Sequence, residues 1–541
     1  MPDTGVPETT ENTPDVVSGA YPSGLGSGGA IKPREEITNG RKVIYTSESE
    51  ITADNVVNVL RYADSWHQLN VADIDWLYAY WHGKQPILYR EKEIRPEIKN
   101  TVVENHAYSI VSFYSGYVFA DPIQYVRRAA VTSDDVDGEK ADAVSLNIGI
   151  LNEYMFAEDK TAVDKEVGDW ALVCGVGVKG ILADGDAGED GDDSPFEIQA
   201  LDPRLAFVVY SRRFGNRPML GIQIIPVDGK PSIYACWTER EYFEIQGWTI
   251  RDQKPHTYGE IPVVEYPLNS ERIGVFQPVL PLLNAINNVQ SNRLDGIEQF
   301  IQSFTKFINV DIDENEFESL RRLGAIKVFS DETVGKADVD IVSSELNQEQ
   351  TQTLVDHLVQ QVHNLVGIPD RGFGKRTTGD TGQAVMLRDG WSDAETRAKG
   401  YELMFKRAEK QFIRIALNIM SDVRGVELRP SNIDIKFTRN RSDNLLVKTQ
   451  GLQNMLEAGV HPHIAFGLCG LFSDPEQAYL DSEEYLEKWK TVERPEIDDE
   501  LNPDAPDNTT VEEGRVRTAV RARQVVSHRA KGGVVTRHAE Q

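Results

Sequence analysis

The chain has 541 residues, with 57 lysines and arginines against 86 aspartates and glutamates, a formal net charge of −29, and 40% hydrophobic and 26% charged residues. That composition is globular and excludes wholesale disorder. At roughly 150 residues per domain, the length predicts three or four domains. The acidic balance argues against a protein that grips duplex DNA through many phosphates, which needs positive surface. It leaves room for one that DNA must pass without sticking. Cys174, Cys236 and Cys469 show no CxxC spacing, which argues against a disulfide scaffold or zinc ribbon and for a reducing compartment. The chain opens with no basic and apolar leader, and no stretch reaches the roughly 20 apolar residues of a membrane helix.

In chain order, residues 1–40 are rich in Pro, Gly, Ser, Thr and acids and read as a flexible arm. A helix is predicted from Ile51, capped by Ser47 or Thr52, with Val56, Val57, Leu60 and Ala63 on one face. A second runs from about Asn100 to Phe119, with Val103, Ala107, Ile110, Val111 and Tyr114 at helical spacing. Residues 133–142 form an acidic loop, and 143–166 read as helix. From Asp169 to Pro267, short Val-, Ile-, Tyr- and Phe-rich runs separated by Gly, Pro and Asp predict a small antiparallel sheet domain.

Long helices follow. Leu294, Ile297, Ile301, Phe304 and Ile308 step by 3 and 4 within 277–308, as do Leu354, Leu358, Val362 and Leu365 within 348–366. The pattern is strongest over 383–420, through Trp391, Ala394, Ala398, Tyr401, Phe405, Ala408, Phe412, Ile415 and Ile419. A stripe that narrow is a seam against another helix. Residues 433–439 read as a strand, and short helices continue to about Val492. An acidic, Pro-containing linker and a basic segment, 511–541, end the chain.

Few motifs carry chemistry. Gly175, Gly177 and Gly180 match GxGxxG, but ILADGDAG follows where a dinucleotide site needs a helix, so a glycine-punctuated strand is the better reading. The loop around Lys375 fails as a Walker motif, because Pro369 stands at the first glycine position and Arg376 follows the lysine. The Asp184–Asp193 run lacks the EF-hand glycine and final glutamate and reads as a solvated turn. His461 and His463 have no third ligand nearby in sequence. Nothing here identifies an enzyme, and neither a cofactor nor a metal is expected.

The segment Tyr80 to Tyr125 resembles the start of tailed-phage portal proteins of the SPP1 portal type, through Gly83, Gln85, Pro86, Ile87, Arg90, Asn100, Val103, Asn105, Gly116, Tyr117, Pro122 and Tyr125; Ala120 stands where the family often has Gly. The likeness continues in order through Asn269, Leu283, Asn287, Ser291, Asn292 and Phe300, then Pro369, Asp370, Thr381, Gly382 and Ala384, then DPEQAYLDSEEYLEKW. Each motif is short; their order over residues 50–490 makes the match specific.

The resemblance implies an α+β, mostly helical portal fold with a wing, long stem helices, a small α/β clip and a helical crown, assembled as a closed ring of about twelve copies. On this chain that places the arm at 1–40, the wing and its sheet at 41–270, the first stem helix at 271–307 and the clip at 308–346. The second stem helix is then 347–367, the tunnel loop region 368–390, the long wing helix and strand 391–444, the crown 445–492 and a flexible tail 493–541. The resemblance further implies a channel for double-stranded DNA at one capsid vertex in the virion, assembled in the host bacterial cytoplasm. Its partners would be the terminase large subunit, major capsid protein, scaffold and head–tail adaptor, with no membrane. Arg371, Lys375, Arg376, Thr377 and Thr378 are the channel candidates, and Leu294, Ile297, Ile301, Phe304, Leu358, Val362, Trp391, Phe405 and Phe412 the stem and wing packing candidates. Another virion structural role, such as adaptor or capsid subunit, and a nucleotide-binding enzyme are the rival readings.

Overall fold

The computed structural model describes residues 39–93, 96–128, 138–184, 194–301, 304–308, 338–342, 348–369, 391–437, 445–469, 471–472 and 475–482. They divide into two units: residues up to Gly451 with Cys469–Pro475, and Leu452–Leu468 with Glu476 onward. In the second unit, His461 and His463 lie against the Tyr479 ring, at 6.3 and 5.5 Å between centroids.

The larger unit opens on β1 (Ile44–Thr46) and α1 (Val56–Trp81). The helix starts later than Ser47 or Thr52 suggests, because residues 52–55 close into a turn in which Val56 N and Asn55 N both donate to Thr52 O. Its first half buries Val56, Val59, Leu60 and Ala63 against a sheet, and its second half sends Ile74, Trp76, Leu77 and Tyr80 into the main core. One helix of about 39 Å thus spans two cores. Helix α2 (His106–Val118) begins six residues after Asn100, capped by Asn105, whose Oδ1 accepts from Tyr108 N. The helical stretch 143–166 is in fact two helices, α3 (Gly138–Ala157) and α4 (Lys160–Cys174), broken where Asp159 turns left-handed at φ 48°.

The described residues hold thirteen strands, most of them within the Val-, Ile-, Tyr- and Phe-rich runs, beside helices that make up about half of those residues. β2 (Gln124–Arg127) pairs with β13 (Ile433–Lys436). β3 (Val176–Ala183), β4 (Phe196–Leu201) and β10 (Val263–Pro267) make a three-stranded sheet ordered β10-β3-β4. β5 (Ala206–Ser211), β6 (Pro218–Ile225), β7 (Ile233–Trp237), β8 (Glu241–Gln246) and β9 (Thr249–Pro255) make an antiparallel meander that β1 extends in parallel with β5. On β5, Phe207 and Val209 face α1 while Ala206 and Val208 face the smaller sheet, so both faces of the strand are buried. β1 escapes the sequence because three residues show no alternation.

The GxGxxG glycines are structural. Gly175 ends α4 with φ 84°, and a Cβ there would stand 2.1 Å from Arg272 O. Gly177 and Gly180 lie on β3, and a Cβ at Gly177 would meet Val167 O at 2.2 Å. They let a strand pass close to its neighbours and cradle no phosphate.

Helix α5 (Leu280–Ile301) is shorter than the predicted 277–308. Phe304 lies on β11 (Phe304–Ile308), which pairs antiparallel with β12 (Asp338–Val342), Phe304 opposite Val342. The 3–4 spacing misleads here: Phe304, Phe307 and Ile308 sit at helical steps in FTKFI, yet the segment pairs with β12 as a strand. Helices α6 (Gln348–Val366) and α7 (Trp391–Arg424) follow, then α8 (Leu445–Glu457), α9 (Pro462–Cys469) and α10 (Pro475–Ser482). α7, with 34 residues, is about 51 Å long. No helix among the described residues is long and apolar enough to cross a membrane.

Candidate functional site

Residues scattered through the motifs converge on α5. Its apolar side buries Leu280, Leu283 and Ile286, and a second side buries Asn287, Ser291 and Asp295 at four-residue steps. Opposite that polar row runs the extended segment 99–104. Asn100 N donates to Asp295 Oδ1 at 2.8 Å, Val102 N to Ser291 Oγ at 3.0 Å and Glu104 N to Asn287 Oδ1 at 2.8 Å. The register follows from geometry. Two extended residues advance about 6.7 Å and four helical residues about 6 Å, so three successive rungs stay matched.

Charged and amide side chains close both ends of this ladder. Asn287 Nδ2 donates to Gln85 Oε1 at 2.5 Å, and Gln85 Nε2 donates to Asn105 Oδ1 at 3.1 Å. Asp295 accepts from Lys92 Nζ at 2.9 Å and pairs with Arg90 Nη2 at 3.0 Å; Arg90 also donates to Asn292. The backbone N–H groups of Asn100, Val102 and Glu104 therefore each have a partner on α5, which helps this non-regular segment lie on a helix. Asn287→Ala strips partners from Gln85 Oε1 and Glu104 N. It is expected to destabilise the fold by about 1–3 kcal/mol, read by urea unfolding, whereas exposed Asn288→Ala stays within about 0.5 kcal/mol of the parent.

Beyond the ladder α5 packs on α6, with Arg293 Nη1 donating to Gln352 Oε1 at 2.5 Å. On α6, Val362 is fully buried and Leu358 is partly buried against the main core. The remaining stripe residues are turned outward: Leu294, Ile297, Leu354 and Leu365 are 44%, 40%, 48% and 54% exposed. Ile301 is the last residue of α5. This helix pair carries the β11–β12 ribbon at its far end and leaves these four apolar side chains substantially in water.

Helix α7 meets the body through a buried charge cluster. Glu409, fully buried, takes Lys160 Nζ at 2.8 Å on Oε1 and Lys179 Nζ at 2.9 Å on Oε2. Tyr125 and Tyr266 donate their hydroxyls to the same two oxygens at 2.5 and 2.6 Å. Lys179 also donates to Asp164 Oδ1 at 2.6 Å, and Lys160 to Asp164 Oδ2. Two ammonium groups thus face two carboxylates, and the cluster is neutral. Burial alone would raise the Glu409 carboxyl, but the two lysines outweigh it and hold it well below the usual carboxylate range. Burial and the Glu409 charge push both tyrosine hydroxyls up. A cluster so closed offers no catalytic opening. It fixes the rotation and axial position of α7 against α4, β2, β3 and β10.

The aromatic stripe of α7 surrounds this cluster. Phe412 lies under Lys179, 4.2 Å from Nζ to ring centroid, and Phe405 contacts Tyr266 at 4.5 Å and Phe119 at 5.2 Å. Trp391, at the start of the helix, reaches Tyr117 and Phe113 on α2 at 5.8 and 6.2 Å. Arg371, Lys375, Arg376, Thr377 and Thr378 lie outside the described residues, as do most of the Asp184–Asp193 run and the basic segment 511–541. Sequence reasoning missed Lys160, Asp164, Lys179 and Glu409. The available signal was a charge set inside apolar runs, Lys179 in VGVKGI and Glu409 between Phe405 and Phe412.

Among curated proteins none matches the chain. The family described as "Phage portal protein, SPP1 Gp6-like" matches residues 61–496, which include the ladder, the α5–α6 pair and the α7 cluster. By that match over most of its length, the chain belongs to the SPP1 Gp6-like phage portal proteins, structural components of the virion.

Proposed function

We propose that this portal protein works as a closed ring of about twelve copies, with double-stranded DNA passing through the central channel at one capsid vertex during packaging and ejection. The observation that carries the ring is the set of apolar side chains Leu294, Ile297, Leu354 and Leu365, left in water on a helix pair anchored by a three-rung polar ladder. A head-to-tail neighbour that covers these side chains removes them from water, and a heterologous contact of this kind closes into a ring when its rotation permits. The net charge of −29 suits a conduit, since DNA that must slide is not to be held by many phosphate contacts.

Within this reading α5 and α6 are the stem, residues 308–346 the clip, 368–390 the tunnel loop and 445–492 the crown. The terminase large subunit and the head–tail adaptor dock on the ring, which the major capsid protein and scaffold surround. Assembly takes place in the host cytoplasm. The loop residues Arg371, Lys375 and Arg376 face DNA. Replacing all three by Ala is expected to leave rings intact and to change packaging yield in a terminase-driven assay. Intact rings that package DNA at the parent level would make the loop only a connector.

A further inference from the structure

We propose that the tip of the β5–β6 hairpin is a finger that docks on a neighbouring copy of this chain, with Phe214 as its anchor and Arg212, Arg213 and Arg217 as a cationic rim. This deepens the ring reading and rests on it. The connection reads Arg212-Arg213-Phe214-Gly215-Asn216-Arg217, and its backbone is closed by its own hydrogen bonds. Ser211 N donates to Arg217 O at 2.8 Å, Asn216 N to Arg213 O at 3.1 Å and Arg213 N to Ser211 Oγ at 3.2 Å. Gly215 and Asn216 take φ 98° and 43°, the left-handed pair such a turn needs. Arg212 N donates to Thr46 O at 3.1 Å and ties the base of the finger to β1.

The finger is therefore built, and what it presents is a phenyl ring in water. Phe214 has a relative exposure of 107%, the largest of any big hydrophobic residue among those described. The three arginines are exposed, and none makes an ion pair with a described residue. An aromatic anchor flanked by arginines on a rigid turn has the composition of an interface hot spot. Its complement is an apolar surface rimmed with carboxylates. A second copy supplies that chemistry: without these three arginines the chain holds 57 − 3 = 54 basic against 86 acidic residues. On α3, for example, Leu146 and Phe156 are exposed with Glu153 between them. Duplex DNA would engage the arginines but leave the ring in water.

Photo-crosslinking of the full-length chain with benzoylphenylalanine at position 214 tests this. Irradiated rings are expected to yield covalent dimers and higher multiples of the 60.7 kDa chain. Rings that form but give no protein–protein crosslink, or crosslink only to added DNA, overturn the proposal. The double variant Phe214→Ser, Arg213→Glu is expected to fold as the parent does and to need about tenfold more protein to assemble. Unchanged assembly of that variant also overturns it. If the unsubstituted chain forms no ring, the ring reading fails, and this proposal fails with it.

Discussion

Glu409→Ala is expected to cost about 3–5 kcal/mol of unfolding free energy, because it leaves Lys160 and Lys179 buried with only Asp164 between them. Tyr125 and Tyr266 lose their acceptor at the same time. Glu409→Gln keeps an acceptor for the tyrosines but not the charge, and falls between the parent and the alanine variant. Chemical denaturation of the three proteins reads the order directly. The dependence on pH follows from the depressed carboxyl. A group whose folded value lies below its unfolded one stabilises the fold fully above the ordinary carboxylate range and loses that contribution as pH falls. The gap between parent and Glu409→Gln should therefore shrink between about pH 5 and about pH 3. A gap that stays constant across that window would mean that Glu409 does not carry the charge assigned to it.

Leu294→Asp combined with Ile297→Asp is expected to abolish ring formation while leaving the chain folded. Both side chains are already substantially in water, so a charge there costs the lone chain no more than about 0.5 kcal/mol each. In an assembled ring the same charges would be buried without partners, at several kcal/mol per contact. Multiplied around the ring, that is enough to stop assembly. The measurement pairs a melting curve with sedimentation: an unchanged melting curve and no large species. Loss of the fold itself would mean that these residues serve the interior of the chain, and intact rings would mean that the subunit contact lies elsewhere.

How much of this was legible in the sequence varies by element. Helices α6 and α7 show in their 3–4 apolar spacing, because they pack along one side over several turns. The meander shows in its Gly- and Asp-punctuated Val and Ile runs. Helix α5 was legible only to Ile301, since Phe304, Phe307 and Ile308 continue the helical spacing while the pairing with Asp338–Val342 that makes them a strand is not local. The break at Asp159 was easy to miss, because Asp visits the left-handed region more often than most residues but is commoner elsewhere, and no Gly or Pro marks the spot. Gln85, Arg90, Asn100, Asn105, Asn287, Ser291 and Asn292 stood out one by one through the family likeness. Their meeting in one ladder was hidden, because residues about 200 positions apart declare no contact in a single sequence. The charge cluster was hidden for the same reason. Lys160 and Glu409 look like solvated charges until α4 and α7 are brought together.

The most direct test of the portal assembly is the mass and shape of the purified full-length protein, read by light scattering and electron microscopy on one preparation. The account predicts a particle that is a whole-number multiple of 60.7 kDa, about twelve-fold, imaged as a ring with a central hole. A species that stays at 60.7 kDa across protein and salt concentrations, or that assembles into sheets or shells without a hole, would contradict it.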